Sequence, residues 1–242
     1  VNSGSKTAGI VSPKGGVVIG PSHGTEFYAN AGLGFHSNDA RGTTITRDPE
    51  TGEHVNQVTP LVRAKGAELG MRTVALPHLQ STMSLWSLNL DSELVFVGDA
   101  GTTEAGRPSR RYGIEFANYY SPRRWLTLDA DLSWSHARFT DEDPVGDFIP
   151  GSVEKVFSAG LTVDDVHGLF GSMRVRYFGP RPLVEDDSVR SEATSLVNLA
   201  AGYTLTPKIR LVSDVFNLFN AEDSDIDYYY GSRLPGEPAA GV

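Results

Sequence analysis

The sequence of 242 residues contains no cysteine, and its 21 Lys and Arg residues are outnumbered by 30 Asp and Glu residues. Without cysteine there are no disulfides, no thiol nucleophile and no Cys-based zinc or iron–sulfur site. The formal net charge of -9 argues against nucleic acid as a partner, because phosphate binding requires a basic surface. Long apolar runs are also missing, since no stretch approaches the roughly 18 apolar residues of a helical membrane span.

Catalytic and cofactor-binding motifs are absent from the sequence as well. It contains no GxSxG nucleophile elbow, no HExxH zinc motif and no GxxxxGK[ST] phosphate-binding loop. We therefore predict that the chain is not an enzyme, and we predict no catalytic residue, no metal site and no cofactor.

Alternation of apolar and polar residues with a period of two recurs along the whole chain, which is typical of β-strands with one apolar face. In segment 125–135, Leu126, Leu128, Ala130, Leu132 and Trp134 alternate with Thr127, Asp129, Asp131, Ser133 and Ser135. In segment 27–36, Phe27, Ala29, Ala31, Leu33 and Phe35 alternate with Tyr28, Asn30, Gly32, Gly34 and His36. In segment 86–96, Trp86, Leu88, Leu90, Leu94 and Phe96 are predicted to lie opposite Ser87, Asn89, Asp91 and Glu93.

About ten strands are predicted, many of them longer than the usual five or six residues of soluble strands. They lie near 8–19, 25–36, 59–72, 80–97, 110–120, 124–138, 152–163, 168–178, 193–204 and 208–218. The connections alternate between short (20–24, 73–79, 121–123, 164–167, 205–207) and long (37–58, 98–109, 139–151, 179–192 and from 219 onward). In an antiparallel meander this alternation places all short turns at one rim and all long loops at the other. Short periplasmic turns and long extracellular loops are typical of transmembrane β-barrels, so we predict an all-β, antiparallel, up-and-down portion of such a barrel.

Two tryptophans have the spacing of the aromatic girdles that flank a bilayer. Trp125 and Trp134 are nine residues apart in the sequence. At about 3.3 Å per residue and a tilt of about 40°, they are about 23 Å apart along the membrane normal. This matches the roughly 25 Å apolar band of outer-membrane barrels.

Two other interpretations remain open at this point. A passive outer-membrane porin or channel would share the alternation and the loop asymmetry. A soluble all-β carbohydrate-binding protein would instead bury Leu126, Leu128, Leu132 and Trp134 in a closed core.

Several strings in the chain have a specific resemblance to one protein family. The strongest is GTEFYANAGLGFHSNDARG at 24–42, preceded by SPK at 12–14 and followed by PLVRAKGAELGMRT at 60–73. Further strings are RYGIEF at 111–116, IPGS at 149–152, YFGPRP at 177–182 and VFNLFN at 215–220. In this order and spacing the chain resembles the barrel of TonB-dependent outer-membrane receptors.

The resemblance implies the location and partners of the chain. It implies the outer membrane of a Gram-negative bacterium, contact with its lipid, and active uptake of a scarce solute, most often a ferric siderophore or similar iron chelate. It also implies a plug domain of the same full-length chain and, through the N-terminal part, the inner-membrane TonB energy-coupling complex. The plug and the usual aromatic-terminated last strand are not recognisable, so we expect residues 1–242 to form the C-terminal half of the barrel.

Candidate ligand-binding or plug-contacting residues lie at the predicted long-loop rim. His36, Asn38, Asp39 and Arg41 cluster where a strand with an inward polar face enters its loop. Arg138 and the aromatic run Tyr228, Tyr229 and Tyr230 are further candidates, since aromatic and Arg side chains suit planar, anionic ligands. Of the other histidines, His23, His78 and His167 are predicted at the short turns, and His54 and His136 at the long-loop rim.

Overall fold

The computed structural model describes residues 4–47, 52–97, 102–224, 227–229 and 240–241, and the regular secondary structure of these residues is almost entirely β. The main strands are β1 (Lys14–Ser22), β2 (Thr25–Ser37), β3 (Leu61–Thr73), β4 (Leu79–Leu90), β7 (Ser109–Arg123), β8 (Leu126–Phe139), β9 (Lys155–Val166), β10 (Leu169–Phe178), β11 (Thr194–Thr206) and β12 (Ile209–Val215). Short strands β5 (Leu94–Val97), β6 (Thr102–Ala105), β13 (Tyr228–Tyr229) and β14 (Ala240–Gly241) and one helix, α1 (Ala40–Thr44), lie in the loops. Within the described ranges, no helix has the length and apolar character needed to cross a membrane.

The ten main strands form a single antiparallel sheet in which every strand pairs with its neighbours in chain order. This confirms the predicted up-and-down architecture. In the described part of the chain, β1 and β12 are the two edges of the sheet, and each has one paired side. Strands β5 and β6 form a separate hairpin, as do β13 and β14.

The prediction of one strand over 80–97 was wrong. Strand β4 ends at Leu90, the chain bends at Asp91 and Ser92, and β5 begins a separate hairpin at Leu94. The break coincides with Glu93, whose side chain turns into a buried site and accepts hydrogen bonds from Ser109 and Arg111. A charged group buried in this way requires partners, and these partners lie on β7 and not along an extended β4.

The short turns and long loops lie at opposite rims of the sheet, as predicted. At the short rim, His23 and Gly24 have φ angles of 49° and 74°, and His167 and Gly168 have 54° and 86°. Two consecutive residues with positive φ are typical of the tight hairpin turns that match the twist of the strands. His78 also has a positive φ, of 65°. We therefore interpret these three histidines as turn formers.

Each strand pair with an irregular register has its irregularity next to a short turn. The register shifts lie at Ile19/Ser22, Tyr120/Arg123, Leu169/Gly171 and Thr204/Thr206. Bulges of this kind bend a strand and increase its twist, and they are common at the rims of barrels. Towards the long loops the ladders are regular, so the register assigns each strand residue to one of the two faces of the sheet.

One face of the sheet is apolar and exposed. Leu69, Leu85, Ile114 and Trp134 are directly paired across four neighbouring strands and therefore share this face. Leu69 is 61% exposed, Leu85 49% and Trp134 42%. The soluble interpretation required a closed core over this face, and the described part of the chain supplies none.

The opposite face is polar, and it contains the residues that alternate with the apolar ones. It includes Glu26, Glu68, Glu115, Asp129 and Arg174. The predicted alternation of segments 27–36 and 125–135 is confirmed by this register.

The face predicted for Trp86, Leu88 and Leu90 was wrong. Their paired residues on β3 are Glu68, Gly66 and Ala64, which places all three on the polar face. Strand β4 carries apolar residues on both faces, with Met83 and Leu85 on the apolar one, so its own alternation does not determine its orientation.

The buried apolar residues are concentrated at the long-loop rim and not in the middle of the sheet. Ala137, Phe139 and Ile149 form the packed cluster there. Val62, Leu183 and Val197 are the other buried apolar residues of the described ranges. The sheet is therefore an open wall between two environments. Its closest side-chain packing lies at the long-loop rim, where it holds the loops in place.

Candidate functional site

The polar face is built around hydrogen bonds and ion pairs between neighbouring strands. Arg72 on β3 forms an ion pair with Glu26 on β2 at 2.9 Å. The Tyr28 hydroxyl donates a hydrogen bond to Glu68 at 3.1 Å. Gly70 leaves the space that the Tyr28 ring occupies, because any Cβ there would collide with that ring. The charged side chains Glu26, Arg72 and Glu68 of this face therefore have partners on the neighbouring strand.

A second cluster lies on the polar face of β8, β9 and β10. Arg174 forms an ion pair with Asp129 at 2.9 Å and also donates to Ser158 at 3.1 Å. Gly160 lies beneath this pair, and a Cβ at that position would collide with both side chains. Glu115 and Asp131 are exposed on the same face and form no ion pair within the described ranges.

Two hollows lie over the polar face. The first, of about 630 Å³, lies over β1 to β4, where Gly16, Gly32, Gly34 and Gly66 have no side chains to fill it. The second, of about 530 Å³, is lined by Gln80, Thr82, Tyr119, Asp129, Asp131 and Arg174. Both are broad openings, and their shape suits a large partner that covers the face.

The long loops beyond this face are tied to one another by arginines. Arg107 donates to the Asp141 carboxylate at 2.8 Å and to the Gly146 carbonyl at 2.7 Å, and its guanidinium lies 4.5 Å from the centre of the Phe139 ring. Arg107 therefore ties the loop between β4 and β7 to the loop between β8 and β9.

The loops after β10 and β12 continue this chain of contacts. The Phe148 amide donates to the Glu185 carbonyl at 3.0 Å, which joins the loop after β8 to the loop after β10. Arg181 then forms an ion pair with Asp227 at 2.8 Å, with both side chains largely buried. We call these contacts, made by Arg107, Asp141, Phe148, Glu185, Arg181 and Asp227, the loop network.

The predicted cluster at 36–41 lies at the long-loop end of β2. His36 lies on the polar face opposite Val62, and its Nε2 atom is buried without a hydrogen-bond partner among the described residues. Asn38 is tied to the backbone, since its amide nitrogen donates to the Thr59 carbonyl at 2.7 Å. The buried Nε2 atom of His36 is therefore unsatisfied among the described residues, and Asn38 stabilises the loop.

Asp39 and Arg41 form a local pair. The Asp39 carboxylate accepts from the Arg41 amide at 2.7 Å at the start of α1 and forms an ion pair with its guanidinium at 2.9 Å. The hydrogen bond from the Arg41 side chain lowers the pKa of Asp39 from 3.8 to about 2. The Arg41 side chain remains 76% exposed, so it has surface left for another anion.

Arg138 and the tyrosines lie elsewhere on the rim. Arg138 is on the apolar face of β8, donates to Glu154 at 2.8 Å and lies 3.8 Å from the centre of the Phe148 ring. Tyr228 and Tyr229 form β13, and Tyr230 lies outside the described residues. Three strands separate β2 from β8 in the sheet, and no described contact joins Arg138 to the cluster at 36–41.

The two remaining loop-rim histidines lie away from the cluster at 36–41 in the sequence. His136 lies on the apolar face, where its ring is 5.1 Å from that of Tyr112. His54 forms an isolated backbone bridge with Arg47.

The sequence reasoning missed the arginines of the loop network. Both are next to prolines, in the segments Arg107-Pro108 and Pro180-Arg181-Pro182. Proline fixes the local backbone, so an arginine beside it is presented from a rigid loop. An arginine next to a proline was therefore the sequence signal that could have indicated these residues, although it does not identify their acidic partners.

Comparison with known proteins identifies the architecture. The family model described as TonB dependent receptor-like, beta-barrel matches residues 1–218. The chain belongs to the TonB-dependent receptor family. Members of this family are transporters and not enzymes. The family match also favours a receptor barrel over a passive porin.

Solved TonB-dependent receptors and related transporters have the same fold. The ferric-catecholate import receptor Fiu from E. coli, in its closed form, is 17% identical with a TM-score of 0.67, and 89% of this chain and 31% of that chain are covered. The ferric yersiniabactin uptake receptor FyuA from Yersinia pestis is 15% identical with a TM-score of 0.69, with coverages of 94% and 34%. The copper transporter OprC is 18% identical with a TM-score of 0.62, with coverages of 85% and 32%.

The chain thus spans about a third of the length of these solved structures. A search among curated proteins finds no match.

Proposed function

We propose that residues 1–242 form the C-terminal part of the barrel of a TonB-dependent receptor that imports a ferric siderophore or a similar iron complex. The observation that carries this proposal is the two-faced wall. One face is exposed and apolar, and the other is charged and hollowed, with its loops tied at one rim. This arrangement suits a wall between lipid and a filled, polar interior.

The apolar face contacts the lipid of the outer membrane. Leu69, Leu85 and Trp134 would be costly to expose to water, and lipid removes that cost. The short turns then face the periplasm and the long loops face the outside, as in other outer-membrane barrels. Strands from the rest of the full-length chain complete the barrel at β1 and β12, because lipid tolerates no open sheet edge.

The polar face contacts the plug domain of the same full-length chain. Glu115, Asp131 and Asp214 are exposed acids of this face without an ion-pair partner in the described part. A plug surface with Lys or Arg side chains would compensate them, since charges removed from water require partners. The TonB energy-coupling complex of the inner membrane acts through this plug and the N-terminal part of the receptor.

The chemistry of the loop rim supports an anionic metal chelate as the ligand. The related structures Fiu and FyuA are named for ferric-catecholate and ferric yersiniabactin uptake. In this chain, Arg41 offers an exposed guanidinium, His36 an imidazole whose buried Nε2 atom has no described hydrogen-bond partner, and Tyr229 an aromatic ring that is 39% exposed. We assign ligand contact to these three residues and loop support to Asn38, Asp39 and Arg138.

Uptake by cells tests the transport function. We expect cells that produce the full-length receptor to accumulate radioactive iron supplied as a catecholate or mixed-ligand siderophore, and only when TonB is present. Cells that produce the receptor but lack TonB are the matched control. Uptake that is equal with and without TonB would support a passive channel instead.

Substitution at the rim tests the ligand site. We expect Arg41→Ala to weaken binding of the imported chelate by about tenfold, since one charge-assisted hydrogen bond of about 1.4 kcal/mol is lost. The control is Arg123→Ala, an exposed arginine at the opposite rim. Ligand affinity is measured by fluorescence quenching on the purified full-length receptor. Equal affinities of the two variants would remove Arg41 from the site.

A further inference from the structure

The glycines of the polar face are of two kinds. A Cβ at Gly70 or Gly202 would collide with the ring of a neighbouring tyrosine or phenylalanine, so these glycines make room for a side chain of the wall itself. At Gly34 and Gly66, the nearest atoms to a Cβ are 3.7 and 3.8 Å away, which is ordinary contact. Neither of the two has a positive φ. The wall therefore does not require a glycine at Gly34 or Gly66, and strand glycines of this kind mark places that something else approaches closely.

These two open glycines form the floor of the first hollow, which we call the glycine hollow. Gly34 is paired with Ala64, and Gly66 is paired with Gly32 in the next row. Over these two rows, β2 and β3 carry no polar-face side chain larger than a methyl group. The volume of about 630 Å³ is that of a pocket for a small molecule of drug size. Around the floor lie the longer side chains Lys14, Asn30, Glu68 and Leu88.

The glycine hollow begins directly below the candidate ligand cluster. His36 lies on the same strand and face as Gly34, two residues nearer the long-loop rim and thus about 7 Å away. The floor ends at Asn30, whose side chain donates to Glu68 at 3.4 Å. The Tyr28 hydroxyl donates to the same carboxylate at 3.1 Å. A path without projecting side chains therefore leads from the rim into the wall, and polar side chains close its lower end.

The acids of the polar face that lack partners lie on the other side of the sheet. Glu115, Asp131 and Asp214 are on β7, β8 and β12. On β2 and β3, Glu26 and Glu68 already have partners on the neighbouring strand. A charged plug surface is therefore attracted to the β7–β12 side, and the glycine hollow offers it neither charge nor protruding side chains.

We infer that the glycine hollow is an inner site that receives the imported iron chelate after it leaves the rim, and that Lys14 binds the anionic groups of the chelate there. Lys14 is exposed, and its side chain lies over Gly32, where a Cβ would come within 2.8 Å of it. An ammonium group forms strong, charge-assisted hydrogen bonds with anionic oxygens. The inference rests on the proposed function and adds the part of the wall along which the solute passes.

Leucine at the two open glycines fills the hollow without a collision at the Cβ positions. The test variant carries Gly34→Leu and Gly66→Leu in the full-length receptor. The control carries Thr162→Leu and Ser172→Leu, a directly paired couple on the polar face of β9 and β10. The probe is a ferric tris-catecholate with radioactive iron. Its TonB-dependent initial uptake rate is measured in cells, and its affinity for the purified receptor is measured by fluorescence quenching.

We expect the leucine pair to slow uptake about tenfold, because added side chains in a filled space raise the barrier to passage. Affinity should stay at the wild-type value, since the rim that first binds the chelate is unchanged. The control should import like the wild type. If the leucine pair does not assemble, Gly66→Leu alone should slow uptake about threefold.

The charge at the hollow is tested separately. Lys14→Gln should slow uptake of the ferric tris-catecholate about fivefold, because one charge-assisted contact is lost. Lys14→Arg keeps the charge and should import like the wild type. Equal uptake by Lys14→Gln and the wild type would remove Lys14 from the inner site.

Three results would overturn the inner site. The first is equal uptake by the leucine pair and the wild type. The second is a fall in affinity as large as the fall in uptake, which would make the hollow part of the first binding site. The third is entry of a bulky antibiotic into cells without TonB, which would show that the leucines displace the plug and that the plug occupies the hollow.

The wild-type measurement separates this inference from the proposed function. A wild-type receptor that imports no ferric tris-catecholate overturns the proposed solute, and the role of the hollow for that solute falls with it. Wild-type import that the leucine pair leaves unchanged overturns only the role of the hollow.

Discussion

Arginine placed in the middle of the apolar face should destabilise the receptor by about 2–4 kcal/mol, the cost of a cationic side chain at the midplane of a lipid-facing barrel wall. Ala159 is the site for this test. It pairs with Ala130 and Val175 and lies between Phe157 and Leu161 along β9. The measurement is the free energy of unfolding of the full-length receptor with Ala159→Arg, from guanidinium titration in phospholipid vesicles.

The matched control places the same charge on the other face of the same strand. Thr162 pairs with Thr127 and Ser172 on the polar face. Thr162→Arg should change the free energy of unfolding by less than about 1 kcal/mol, because that face is hydrated or in contact with polar protein. If both variants are destabilised alike, the assignment of the two faces is wrong.

Removal of the arginine beside Glu93 should be a costly single change at the loop rim. The Glu93 side chain is 6% exposed, and it accepts hydrogen bonds from Ser109 and, at 2.9 Å, from Arg111. Arg111→Met leaves this carboxylate buried without a counter-charge. Breaking a buried pair in this way costs about 3–5 kcal/mol, and we expect the lower end because the Arg111 side chain is 31% exposed.

A double-mutant cycle separates the free energy of the Glu93–Arg111 interaction from the effect of losing the arginine alone. Because Glu93→Gln removes the buried charge, the double variant Glu93→Gln, Arg111→Met should be more stable than Arg111→Met, as measured by the same guanidinium titration. Arg123→Met, at an exposed position of the short rim, should cost less than about 0.5 kcal/mol. Additive effects of Glu93→Gln and Arg111→Met would contradict coupling between the two residues.

Most of the architecture could be predicted from local patterns. Segments 27–36 and 125–135 have clearly different faces, so their alternation was enough to orient β2 and β8. The lengths of the connections were enough to separate the two rims. Both signals come from residues that are close in sequence and respond to the same two environments on either side of the wall.

The errors arose where a strand has no distinct polar side. In β4, Trp86 and Leu88 lie on the polar face, while Met83 and Leu85 lie on the apolar one. Only the register with β3 and β7 decides the orientation, and registers depend on residues distant in sequence. The end of β4 was mispredicted for the same reason, because Glu93 is held by Ser109 and Arg111 on another strand.

The candidate site was predictable in part for the same reason. Asp39 and Arg41 interact over two residues, and their proximity is visible in the sequence. The pairs Arg107–Asp141 and Arg181–Asp227 join loops more than thirty residues apart. The side-chain types were visible, but the choice of partner depends on which loops the sheet makes adjacent.

The pairing of every main strand with its neighbours in chain order has a consequence for assembly. Contacts between sequence neighbours require little loop closure, and chains rich in such contacts fold faster than chains with distant pairings. The wall can therefore grow one hairpin at a time from its short turns, with each new hairpin using the previous strand as its template. Two strands and one tight turn are then the unit by which such a wall is built.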